Sequence, residues 1–199
     1  MRQIKEIEFI DHTSIPDDIW VAVRDVDPGA AGSREVMRVR EKEAGRSLIK
    51  DVVAEKLGRE SLQIDSAENQ KPSAIYNGNP LQISIAHTRR LICGAVSERK
   101  NIGIDLESVD RKVVNRLRKR ILHKDESNDL REITTLQIWT MKEAALKWLG
   151  SGLRTGMNSI CIVSAENPLF RVMFPGGKHV SISSIEHKSH WVSIAYDAE

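Results

Sequence analysis

The chain has 199 residues, 40% of them hydrophobic, and its 30 basic and 28 acidic side chains leave a formal charge of only +2. Such a composition suits one large globular domain or two small lobes, and excludes partner recognition through overall charge, so no nucleic-acid partner is implied. Two cysteines without C-x-x-C spacing, Cys93 and Cys161, exclude a disulfide framework. The polar N-terminus and the absence of a long apolar run predict a cytoplasmic protein with no membrane partner.

Residues 19–26 read as a first strand, closed by Asp27-Pro28-Gly29. Ser33 is placed to cap a helix running to about Leu57 and ending at Gly58, with Val36, Val39, Leu48, Val52, Val53 and Leu57 on its buried side. Gly45 inside it marks a kink or a close approach. Arg34, Arg38, Lys42, Arg46 and Lys50 recur every four residues, a stripe that can hold a phosphate-bearing ligand or simply face solvent beside Glu35, Glu41, Glu43 and Asp51. A polar connector over residues 65–70 leads through Lys71-Pro72 to a turn at residues 76–80. Residues 81–85 then alternate as a strand, His87-Thr88-Arg89-Arg90 form a polar tip, and residues 91–96 return as a buried strand. At that tip His87 is either an exposed loop residue or an anion contact.

Next comes Gly103-Ile104-Asp105-Leu106-Glu107. Side chains alternate in a strand, so Asp105 and Glu107 share one side, able to share a divalent cation or to face water at a strand edge. Residues 111–122 carry Val113, Val114, Leu117 and Ile121 at helical spacing, opposite a basic face of Arg111, Lys112, Arg116, Arg118, Lys119 and Arg120 that can attract an acidic partner. Asp125-Glu126 and Asn128-Asp129 form an acidic turn. A helix over residues 134–149 follows, stopped by Gly150-Ser151-Gly152, with Leu136, Trp139, Ala144, Leu146 and Leu149 as packing surface. On it Glu143 and Lys147 have the spacing of a surface ion pair. The tail reads as strands at 160–163, 169–174 and 191–196, with a hairpin at Pro175-Gly176-Gly177. Ser84-Ile85-Ala86-His87 is echoed by Ser184-Ile185-Glu186-His187, each followed at one spacing by Ala95 or Ala195, which suggests two related lobes.

Three blocks in one order carry a family resemblance: Gly103-Ile104-Asp105-Leu106-Glu107, the run from Trp139-Thr140-Met141-Lys142-Glu143 to Lys147, and Gly150-Ser151-Gly152-Leu153. They resemble the 4'-phosphopantetheinyl transferase superfamily, whose pattern is G-[IV]-D-[IVL]-E, then W-[ST]-x-K-E-[AS]-x-x-K and G-x-G-L. Lys71-Pro72, Ser84-Ile85-Ala86-His87, Gly45-Arg46 and Glu126 are similar to further family blocks; Ala86 and Ser84 depart from the usual serine and asparagine there. Neither departure touches a carboxylate, so the expected change is in coenzyme A affinity.

The length resembles the longer class of the family. This implies an α+β pseudo-dimer of two similar lobes, residues 1–100 and 101–199, each a small antiparallel sheet packed on a long helix, in a monomeric chain. The implied reaction moves 4'-phosphopantetheine from coenzyme A to a serine of an acyl or peptidyl carrier protein. By resemblance Asp105, Glu107 and Glu143 hold Mg2+, and Glu143 or a metal-held water positioned by Glu107 is the base. Lys147 holds a phosphate oxygen while Lys142 points elsewhere, and Lys71, Arg46, His87 and Arg34 grip the 3'-phosphate and adenine end of coenzyme A, in a cleft between lobes. The rival readings are a degenerate member that binds coenzyme A or a carrier without transfer, and a magnesium-dependent nuclease using the same acids.

Overall fold

The computed structural model describes residues 6–27, 33–59, 61–65, 71–114, 116–126, 128–150 and 155–198. The chain divides into two compact units, Met1–Lys100 and Asn101–Glu199.

In the N-terminal unit β1 (Glu8–Phe9) and β2 (Ile19–Asp25) precede α1 (Arg34–Lys56), which is followed by β3 (Leu62–Asp65), β4 (Ser73–Tyr76), β5 (Asn79–His87) and β6 (Leu91–Ser97). These strands form one antiparallel sheet in the order β1-β2-β6-β5-β4-β3. The predicted strands at 19–26, 81–85 and 91–96 are present, whereas β1, β3 and β4 are too short to show a period above their polar surroundings. The Ser33 hydroxyl accepts from the Val36 amide at 3.3 Å to cap α1, and Gly58 supplies the positive φ of 107° just beyond its end.

Only the second half of α1 lies on the sheet. Leu48, Ile49, Val52 and Val53 pack with Ala22, Ile83, Ile92 and Val96. The close approach expected at Gly45 is real: a Cβ there would lie 2.7 Å from Ile85 Cγ2. The first half departs from expectation, with Val36 at 43% and Val39 at 52% exposure. Helical spacing puts them on the buried stripe, but no residue from Glu35 to Glu43 is buried in the structure.

In the C-terminal unit β7 (Ile102–Ser108) leads to α2 (Leu117–Ile121) and α3 (Thr135–Leu149), then to β8 (Cys161–Glu166), β9 (Leu169–Met173), β10 (His179–His187) and β11 (His190–Asp197). The antiparallel order is β7-β11-β10-β9-β8. Without β1, the first sheet runs β2-β6-β5-β4-β3, so each unit has one topology: a strand, a helical segment, then a four-strand meander whose last member returns beside the first. The sequence echo therefore falls on matching strands, β5 and β10. Its cross-strand partners differ, because Ser84 opposes Ala95 whereas Ser184 opposes Ser193 and Ala195 opposes Ile182. The second hairpin is closed by only Lys188 and Ser189, both at positive φ, and this shifts the register.

The expected helix over residues 111–122 shrinks to α2, and Val114 is 71% exposed. Arg118 is not part of a free basic face: its guanidinium donates to the carbonyls of Leu130 at 2.6 Å and Ile133 at 2.7 Å. α3 is capped by Thr134, whose hydroxyl accepts from Gln137 N at 3.2 Å, and by Gly150 at φ 73°. Its buried Ile138, Met141, Ala144, Ala145, Leu146 and Trp148 pack on Ile162, Phe170, Val172, Val180, Ile182 and Ala195, while Leu149, expected to pack, is half exposed. Cys93 and Cys161 are buried free thiols. No helix among the described residues is long and apolar enough to cross a membrane.

Candidate functional site

The site begins with the alternation of β7. Ile102, Ile104 and Leu106 are buried on one side, leaving Gly103, Asp105 and Glu107 for the other. A Cβ at Gly103 would overlap the Ala144 carbonyl oxygen and the Trp148 amide nitrogen, so this glycine lets the α3 backbone lie directly on the strand. That contact brings the helix side chains one turn apart, Glu143 and Lys147, to the carboxylates of the strand.

Lys147 Nζ donates to Asp105 Oδ1 and to the Ile104 carbonyl, each at 2.8 Å, and so bonds the strand rather than forming the expected surface pair with Glu143. Arg111 pairs with Glu107, and its guanidinium carbon lies 5.7 Å from the centre of the Trp139 ring. Beside Asp105 in the β7–β11 register stands Ser193, whose hydroxyl meets Thr140 of α3 at 2.8 Å and donates to Ser184 at 3.0 Å. This buried hydroxyl chain fastens helix to sheet directly under the acids.

The carboxylates perturb one another. Burial pushes the Glu143 carboxyl above the ordinary 4.5, and the charges of Asp105 and Glu107 push the same way against Lys147. Glu107 is also raised, by burial first and by Asp105, with Arg111 and Lys147 opposing. Among the described residues no three His, Cys, Asp or Glu side chains form a ready set of metal ligands. Lys147 and Arg111 lie against Asp105 and Glu107 in that arrangement. The donor chemistry nevertheless fits a hard divalent cation: Asp105, Glu107 and Glu143 offer oxygens only, and their mutual repulsion is what a cation relieves.

Lys142 points away from this group, as expected, and into the core. Its side chain is wholly buried, with Nζ 2.6 Å from Glu126 Oε1 and donating to the carbonyls of Ile121 at 2.7 Å, Ile160 at 3.0 Å and Met157 at 3.2 Å. Glu126 in turn accepts from the amides of His123 at 2.7 Å and Ile162 at 3.0 Å. The supposed acidic turn is thus, at Glu126, half of a buried ion pair. Burial holds the Lys142 ammonium below its ordinary 10.5, with Glu126 opposing. The sequence puts Glu126 in an acidic turn and Lys142 away from the site, without pairing them. The available signal was position, since Ile138, Ala145 and Leu146 lie three or four residues from Lys142 on α3.

In the N-terminal unit His87 is the last residue of β5, and its Nε2 lies 2.9 Å from Glu41 Oε2 on α1. Arg46, one helical turn and a residue further on, is half-buried, and Lys71 leads into β4 beside β5. Ser84 and Ala86 are buried and alternate with His87, on the opposite face of the strand. The Arg34 side chain and residues 151–153 of the glycine-rich block lie outside the described residues.

β7 and α3 thus gather three carboxylates beside a lysine fixed by a backbone carbonyl. The model of the 4'-phosphopantetheinyl transferase superfamily matches residues 101–195, nearly the whole C-terminal unit. The match spans just under half of the chain and supports, for that unit, a transferase of this superfamily. No curated protein matches the chain.

Proposed function

We propose that the protein transfers 4'-phosphopantetheine from coenzyme A to a serine of an acyl or peptidyl carrier protein, with Mg2+, releasing 3',5'-ADP. The observation that carries this reading is the gathering of Asp105, Glu107, Glu143 and Lys147 on β7 and α3, within the segment that the family model matches. Bound at the three carboxylates, Mg2+ supplies charge neutralisation to the pyrophosphate. The new bond joins the serine oxygen to the phosphorus bearing pantetheine; the bond from that phosphorus to the departing 3',5'-ADP breaks. Glu143, or a metal-held water positioned by Glu107, would take the serine proton. Lys147, fixed by the Ile104 carbonyl, presents a positive charge to a phosphate oxygen. In residues 1–100, Lys71, Arg46, His87 and Arg34 are assigned to the 3'-phosphate and adenine end of coenzyme A, which requires His87 to leave or share Glu41.

The test is to incubate the protein with coenzyme A, Mg2+ and a panel of unmodified carrier proteins. One carrier gains the mass of a single phosphopantetheine, and Asp105→Ala abolishes the gain, losing at least about 100-fold in rate with its thermal unfolding retained. Full activity in Asp105→Ala would refute the site. Binding of 3',5'-ADP with every carrier left unmodified would favour the degenerate reading.

A further inference from the structure

We propose that Arg111 is a tethered competitor for the divalent cation, holding Glu107 in the metal-free protein and so setting the concentration at which the site loads. This rests on the reading of Glu107 as a metal ligand.

Arg111 sits four residues beyond Glu107, outside any helix, where its amide donates to the Ser108 carbonyl at 3.0 Å and turns the chain back on the end of β7. Its guanidinium is thereby bracketed. On one side it pairs with Glu107, on the other it lies over the ring of Trp139, one helical turn before Glu143 on α3. The same side chain therefore touches the strand and the helix that carry the carboxylates. Its cation thus lies against one of three clustered carboxylates, at the place where a divalent ion would bind.

The two cations of the site are held differently. Lys147 has a backbone carbonyl as well as Asp105, and is anchored whatever binds beside it. The described contacts of the Arg111 guanidinium are a carboxylate and an aromatic face, and 44% of its side chain is exposed. Such a group can swing toward solvent at small cost, since a partly exposed ion pair contributes at most about 1 kcal/mol. A cation arriving at Glu107 displaces or shares with it, and the affinity measured is reduced by the strength of the pair it breaks.

The experiment uses the full chain and Mn2+ as the probe, titrated at pH 8 and read by electron paramagnetic resonance of the free ion. Arg111→Ala is expected to tighten Mn2+ binding about two- to fivefold, the equivalent of an exposed pair. Arg111→Lys, which keeps the charge but loses the planar stacking, falls between it and the parent. In a Glu107→Gln background Arg111→Ala gives no gain. An unchanged or weaker Kd in Arg111→Ala overturns the proposal and makes Arg111 an orienting support for Glu107, as does a gain that persists with Glu107→Gln. Mn2+ binding that is indifferent to Glu107→Gln removes the ligand assignment itself, and the proposal with it.

Discussion

The two units pair strand with helix across the same kind of seam, with opposite charge. In the N-terminal unit the first long strand supplies the cation: Arg24 of β2 pairs with Asp51 of α1 and donates to Ser47 at 3.3 Å. In the C-terminal unit the corresponding strand supplies the acids, and the helix supplies Lys147. One seam closes with its charges matched. The other carries Asp105, Glu107 and Glu143 against Lys147 and Arg111, one negative charge in excess, and there burial first, then neighbouring carboxylate charge, raises the Glu107 and Glu143 carboxyls above their ordinary 4.5. One topology thus closes as scaffold where charges cancel and, under the proposed function, becomes a site where they do not, because excess negative charge is what a cation can use.

The comparison is most exposed to failure at Lys142, the charge buried deepest in the C-terminal unit. Lys142→Met is expected to lower stability by about 3–5 kcal/mol by stranding the Glu126 carboxylate, and Lys142→Met with Glu126→Leu to recover much of it. Denaturant unfolding measures both. A single variant as stable as the parent would mean that this pair is no more structural than Arg24–Asp51.

A smaller effect separates two glycines that face helices. Gly103→Ala meets helix backbone and is expected to cost about 3 kcal/mol, whereas Gly94→Ala meets the ends of Ile49 and Leu48 at 3.0 and 3.3 Å and costs about 1 kcal/mol. Equal thermal shifts would show that α1 and α3 approach their sheets alike.

The smallest effect depends on pH. Because the Glu143 carboxyl is raised in the folded protein, the native state binds its proton more tightly than the unfolded chain. Its contribution is complete below the ordinary 4.5 and is lost as pH rises through the raised value, so ionised Glu143 costs stability at neutral pH. Glu143→Gln should therefore raise the neutral-pH Tm by a few degrees, a difference that shrinks toward pH 4. Asp51→Asn, at the matched seam, should show no such gain.

Local rules made much of this legible in the sequence. Ser33 and Gly58 bound α1, Thr134 and Gly150 bound α3, and alternation put Asp105 and Glu107 on one side. What failed was burial that only the tertiary structure decides. Val36 and Val39 have the period of a core face but no sheet beneath them, and Val113 and Val114 have helical spacing in a segment that turns at Arg111 instead. Lys142 and Glu126 are not legible as a buried pair, because they lie well apart in the chain and only the fold brings them together. Arg111 read as part of a basic face, although its chemistry is a single ion pair and a single ring.

The Lys142–Glu126 pair has one further consequence, for local opening. The two oxygens of Glu126 each accept a backbone amide, from His123 and from Ile162 at the start of β8, while Lys142 Nζ ties the carbonyls of Ile121, Met157 and Ile160. Two loops distant in sequence thus share one latch. The amides of His123 and Ile162 should exchange with deuterium at one common rate, slow in the parent and together fast in Glu126→Gln, so that a single carboxylate defines a cooperative unit of the native state.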